Sequence, residues 1–178
     1  GQMLAMISLP FFLQGSLGRS DVTTGLLLTP WPLATMIMAP LAGRLVERIH
    51  AGILGGIGMT IFATGLFLLA ILPSDPTNMD IVWRLFICGA GFGLFQTPNN
   101  STIISSAPSN RSGGASGMLG TARLLGQTLG ATLVAMIFNL IPTNSSQACL
   151  YLATAFAVVA AIVSCLRISQ PRPLKGFK

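Results

Sequence analysis

Charge is what this chain has least of. Only 8% of its 178 residues are Asp, Glu, Lys or Arg, with ten basic and four acidic side chains. Ordinary soluble domains carry about 25%, so a water-facing surface of the usual kind is excluded. Histidine occurs once, as His50. The three cysteines, Cys88, Cys149 and Cys165, form no CxxC pair. An odd number without that spacing excludes a disulfide framework and gives no metal site. HExxH and phosphate-loop signatures are also missing, so no metal and no cofactor is expected. The chain opens Gly1-Gln2-Met3 without a basic segment, and no cleavable signal is read there.

What is present is apolar: 52% hydrophobic residues and a mean hydropathy of +0.74. The isoelectric point near 10.3 would suit a nucleic-acid partner. However, the basic residues lie between apolar runs rather than in a patch, so the excess reads as membrane topology and no nucleic acid is expected. No charged residue lies between Asp21 and Arg44, between Arg48 and Asp75, or between Arg84 and Arg111. From residue 124 to 166 there are 43 residues without one, enough for two spans of about 20.

The expected fold is all-α, a six-span membrane bundle. The spans run roughly from Gln2 to Leu17, Thr23 to Ala42, Ala51 to Leu72, Ile81 to Ser106, Gly113 to Ile141, and Gln147 to Leu166. The first would rise only about 24 Å, against roughly 30 Å of hydrocarbon, and is expected to be truncated. The doublet Pro30-Trp31-Pro32 is expected to bend or break the second span. Cys149, at the start of the sixth, is expected to be reachable from the outer side.

Loop charges orient this bundle. One side carries Arg44, Arg48, Arg111, Arg167, Arg172, Lys175 and Lys178; the other carries Arg19 with Asp21, Asp75 and Asp80. By the positive-inside rule both termini are expected to be cytoplasmic, residues 168–178 forming a tail.

Polar residues inside spans are the functional candidates, since they are costly in hydrocarbon. In the fourth span Gly89, Gly93, Gln96 and Asn100 recur at i, i+4, i+7 and i+11, within about 60° of helix surface. In the fifth, Ser116, Gly120, Arg123, Gln127 and Gly130 fall within about 80°. Two such faces can line one cavity at two depths, or only hold helices together by hydrogen bonds. Gln14, Gln96, Asn99, Asn100, Arg123 and Gln127 are the candidate substrate path. The pairs Gly89/Gly93, Gly113/Gly117 and Gly126/Gly130 are candidate close crossings. No Asp or Glu lies inside any span, so these six spans hold no buried titrating carboxylate for proton coupling.

An enzyme is not expected. Gly114-Ala115-Ser116-Gly117 resembles the serine motif of rhomboid intramembrane proteases. The only candidate base, His50, precedes it in a loop instead of following it on a later helix.

Three segments resemble the major facilitator superfamily, and within it the fourteen-span drug:proton antiporters. Gly43-Arg44-Leu45-Val46-Glu47-Arg48 is similar to its loop motif G-x-L-x-[DE]-R. The family continues with Gly and two basic residues, whereas Ile49, His50 and Ala51 follow here. The other two are Arg84-Leu85 with Gly89-Ala90-Gly91-Phe92-Gly93 and Gln96-Thr97-Pro98-Asn99-Asn100, and Ala115-Ser116-Gly117-Met118-Leu119 with Arg123-Leu124-Leu125-Gly126-Gln127 and Gly130-Ala131. The resemblance covers essentially the whole chain. It implies residues 1–178 as the C-terminal six-helix half of a 3+3 inverted-repeat transporter in a bacterial inner membrane. It further implies proton-driven export of amphipathic, often cationic drugs, dyes or antiseptics by alternating access with a missing N-terminal half. Gly43, Arg44, Glu47 and Arg48 would then form a gating loop. A non-transporting membrane scaffold or a degenerate remnant is the alternative.

Overall fold

The computed structural model describes residues 1–73, 75–108 and 111–166; the expected basic tail from Arg167 onward lies outside them. The described residues form helices joined by short turns. They are α1 (Gln2–Phe11), a π-helical turn (Phe12–Ser16), α2 (Asp21–Leu28), α3 (Pro30–Leu45), α4 (Ala51–Ala70), α5 (Asn78–Ser105), α6 (Ser112–Leu140) and α7 (Ser145–Leu166). Five stretches among them are long and apolar enough to cross a membrane, with α2 and α3 counting together as Asp21–Leu45. At ten residues α1 is too short to be one.

Helix starts are set by polar side chains that satisfy backbone N–H groups left without an intrahelical partner. Ser20 Oγ accepts the Thr23 N–H at 3.3 Å and opens α2. His50 Nδ1 accepts the Gly52 N–H at 3.2 Å and opens α4. At α5, Thr77 Oγ1 accepts the Asp80 N–H at 3.2 Å. In return Asp80 Oδ2 accepts from the Thr77 N–H at 3.2 Å and its hydroxyl at 2.6 Å. Asp21 also lies in a first helical turn, where the helix dipole favours a carboxylate. Both acids thus have a local structural use at the helix ends.

Pro30 and Pro32 do not break the second span outright. The interruption is one residue, Thr29, which keeps right-handed helical angles (φ −57°, ψ −33°). Both prolines fall within the first turn of α3, where a missing N–H costs nothing. The Thr29 hydroxyl bonds back to the Gly25 carbonyl at 3.0 Å across the join.

The core gathers Leu4, Leu9 and Leu13 from the N-terminal segment, Trp31, Phe62, Leu66 and Leu69, Ile81 and Leu85, and Leu150. Phe62 stands edge-on to Trp31 at 5.6 Å and tilted against Phe92 at 5.7 Å. Cys149 is fully buried in this core. That corrects the expectation of an accessible thiol: the first turn of α7 is packed under its neighbours, and the exposed positions leading into it are Ile141, Pro142, Thr143 and Asn144.

α5 is the central helix, packed between α3 and α4; α4 also packs along α7, and α6 touches the rest only lightly. Glycines decide this. A Cβ on Gly91 would collide with the Phe62 backbone nitrogen and lie 2.7 Å from the Gly58 carbonyl oxygen. One on Gly58 would lie 2.7 Å from the Phe95 nitrogen and 2.8 Å from the Gly91 oxygen. The two glycines face each other, so α4 and α5 meet backbone to backbone. On the opposite side of α5, a Cβ on Gly89 would run into the Trp31 carbonyl, and one on Gly93 would lie 3.0 Å from the Thr35 carbonyl. Thr35 ties this crossing, donating to both the Trp31 and Gly89 carbonyls at 3.0 Å.

Candidate functional site

The polar stretches of α5 and α6 meet at one point. Arg123 Nη2 donates to Asn100 Oδ1 across a long 3.5 Å hydrogen bond. This contact fixes the register of the antiparallel pair. Gln96 and Gln127 each lie four residues away, about 6 Å along their helices, and both in the direction leading from the turn between α5 and α6. Asn99, Asn100, Gln96 and Gln127 are half-buried, whereas Arg123 is exposed. Pro98, buried one turn from Thr102, lacks an N–H, so the Leu94 carbonyl loses its intrahelical donor. The arrangement offers a ligand one permanent cation and neutral amides able both to donate and to accept.

The glycine parts of the two stripes behave differently. Gly89 and Gly93 are filled by α3, so only the Gln96–Asn100 portion of α5 remains beside α6. On α6, Gly113, Gly117 and Gly126 have nothing within 4 Å of an added Cβ; Gly130 alone of the four meets a neighbour, Met3 Cβ at 2.9 Å. The close crossings expected at Gly113/Gly117 and at Gly126 are therefore not made among the described residues. The reason is that α6 stands at the edge of the bundle. Met118, Leu124, Leu125 and Leu129 are exposed beside these glycines, 61–78% accessible.

Gln14 sits apart from the Arg123–Asn100 pair, exposed on the π-helical turn. That turn is marked by an i→i+5 bond from the Leu17 N–H to the Phe12 carbonyl at 3.2 Å. π-turns of this kind often accompany functional positions. Of the loop residues, Gly43 and Arg44 lie in the last turn of α3, and Glu47 and Arg48 are exposed in the turn that follows. Among the described residues no ion pair latches Glu47 or Arg48.

Arg84, in the second turn of α5, stands outside the candidate path residues. Its Nε and Nη1 are buried without a hydrogen-bond partner. Its guanidinium carbon lies 5.1 Å from the centre of the Trp83 ring, a cation–π arrangement that offsets part of the desolvation.

Comparison with known proteins agrees with this architecture. The family model of the Major Facilitator Superfamily matches residues 1–178. The chain is 65% identical over 171 residues to a protein of Escherichia coli (strain K12) named "Uncharacterized transporter YebQ", a match covering 96% of this chain and 37% of that protein. It is 32% identical over 126 residues to the multidrug resistance protein Stp of Mycobacterium tuberculosis (strain CDC 1551 / Oshkosh), covering 71% of this chain and 23% of Stp. The multidrug efflux pump LfrA of Mycolicibacterium smegmatis is 29% identical over 141 residues, covering 77% of this chain and 28% of LfrA. The chain thus spans little more than a third of the length of these relatives, or less.

Proposed function

The chain belongs to the major facilitator superfamily, a family of multi-pass membrane transporters, and on that premise we propose that it is the C-terminal six-helix half of a proton-coupled exporter. The exporter carries amphipathic, cationic drugs, dyes or antiseptics across a bacterial inner membrane. The observation that carries this reading is the open face of α6. A helix bearing an arginine, a glutamine and a row of uncovered glycines is the face on which a second bundle would seat. Transport by rocking of two bundles needs a shared path between them, and Gln96, Asn99, Asn100, Arg123 and Gln127 line this half's side of it. Gln14 belongs to the same path from α1's end. The basic loops keep both termini on the cytoplasmic side, and Arg44, Glu47 and Arg48 bias the gate at that side. Names of relatives such as Stp and LfrA favour drugs as the substrate class.

Co-expression tests this reading. Cells making this chain together with a matching N-terminal half accumulate less cationic dye than control cells. Cells making either half alone accumulate as much as controls, because one bundle cannot alternate access. Dye export by this chain alone, with purified protein confirming it in vesicles, would refute the half-transporter reading in favour of a self-sufficient unit. Inert co-expressed halves that nevertheless assemble would favour the scaffold.

A further inference from the structure

We propose that the groove between α4 and α7 is a binding site for one anionic phospholipid. This groove lies away from the Arg123–Asn100 pair and has a volume of about 620 Å³. Ala63 and Ala161 form part of its wall, and Phe67, Val158, Ile162 and Leu166 are among its other lining residues. Its threonines offer no free donor. Thr60 donates to the Gly56 carbonyl at 2.9 Å, Thr64 to the Thr60 carbonyl at 2.9 Å, and Thr154 to the Leu150 carbonyl at 2.8 Å. Those oxygens can still accept, but they keep no hydrogen to donate to a polar solute, while a hydrocarbon chain leaves none of the three hydroxyls unpaired.

Length and charge then select the occupant. From Thr154 to Leu166 the groove covers twelve residue steps of α7, about 18 Å, enough to hold an acyl chain across the roughly 15 Å of hydrocarbon in one leaflet. Its Cys165 end is the end where α4 begins: Ser164 donates to the Gly52 carbonyl at 3.2 Å, and a Cβ on Gly56 would meet Cys165 Sγ. The turn leading into α4 carries Arg48, and the last turn of α3 carries Arg44, both exposed. An acyl chain lying in the groove therefore brings its headgroup to the basic end of the bundle. Glu47 lies between these two arginines and leaves the turn with a net positive charge, while Asp21, Asp75 and Asp80 belong to the other end. Basic residues at a membrane surface attract anionic lipid, so a phosphatidylglycerol-type headgroup is favoured over a zwitterionic one.

Native mass spectrometry of the full chain, extracted in mild detergent and supplied with phosphatidylglycerol or phosphatidylcholine of identical acyl chains, tests this. The expected result is one phosphatidylglycerol retained at least fivefold better than phosphatidylcholine. The double variant Arg44→Gln/Arg48→Gln removes the preference, and Ala161→Phe, which fills the groove, removes retention of either lipid. Should Ala161→Phe fail to fold, Phe67→Trp serves instead, since it exchanges one aromatic ring for another and leaves the groove open. Its added fluorescence is quenched more by brominated phosphatidylglycerol than by brominated phosphatidylcholine. Equal retention of both lipids by the parent chain, unchanged retention by a folded Ala161→Phe, or equal quenching in Phe67→Trp would overturn the proposal.

Discussion

Changing Arg123 to Gln stops dye efflux by the assembled transporter, with membrane insertion unaltered. A charge near mid-bilayer costs at least about 2.5–3.5 kcal/mol on insertion scales. The Asn100 amide oxygen, 3.5 Å away, offers Arg123 one long neutral hydrogen bond, which cannot balance a full charge. In the two-half transporter proposed above, an acidic residue of the other half supplies the balance, and its pKa falls when Arg123 is near and rises when the halves part. Hydrogen bonds to charged groups contribute about 1.5–3 kcal/mol, so losing one reduces efflux by roughly tenfold to a hundredfold. Loss of the proton-coupling step itself takes it to background. Arg123→Lys restores only part of the rate, since an ammonium lacks the planar fork. Whole-cell dye efflux, normalised to the amount of protein in the membrane and followed across external pH, reads both variants. Normal efflux by Arg123→Gln with an unchanged pH profile would assign Arg123 to packing.

Two glycines with opposite surroundings give the second large effect. Gly91→Leu prevents the bundle from forming, whereas Gly126→Leu leaves it folded but unable to join its partner half. The atoms a Cβ would meet at Gly91 are backbone atoms of Gly58 and Phe62. Backbone cannot rotate out of the way as a side chain can, so α4 and α5 must separate, taking Phe62 out of its contacts with Trp31 and Phe92. Overpacking costs about 1–3 kcal/mol where side chains yield, and more where they cannot. At Gly126 a Cβ meets nothing within 4 Å, and replacing glycine in a helix removes a propensity penalty of about 1 kcal/mol. Thermal unfolding of each variant in detergent, with co-purification of a tagged N-terminal half, separates the cases. Equal loss of folding in both variants would contradict the open face of α6.

The contrast between these glycines shows how far the amino-acid sequence could be read. Long uncharged runs forced the spans, because a hydrocarbon environment leaves the backbone little alternative to helix. Ser20, Thr77 and Asp80 then mark helix starts by chemistry that is local in the chain. The polar stripes of α5 and α6 also emerge from spacing alone, and the Arg123–Asn100 contact joins a residue of one stripe to a residue of the other. What spacing cannot state is which neighbour a face will meet. Gly58, Gly65 and Gly91 carry the closest approaches of α4 to α5, yet they sit in apolar runs with nothing to distinguish them from glycines facing lipid. Gly113, Gly117 and Gly126 have the more conspicuous pattern and no neighbour here. Cys149 is buried for the same reason: burial at a helix end depends on the packing of α1 and α4 against α7, which no local pattern encodes.

Proton movement measured together with dye movement decides whether the assembled halves form a proton-coupled exporter. Everted membrane vesicles carrying the assembled transporter are energised until their interior is acid, and a cationic dye is added outside. The expected result is that dye enters, that each addition releases protons from the interior, that a proton ionophore stops both, and that Arg123→Gln abolishes the dye-dependent proton release. Dye entry that persists after the proton gradient is collapsed, or a transporter whose dye addition moves no protons, would contradict it.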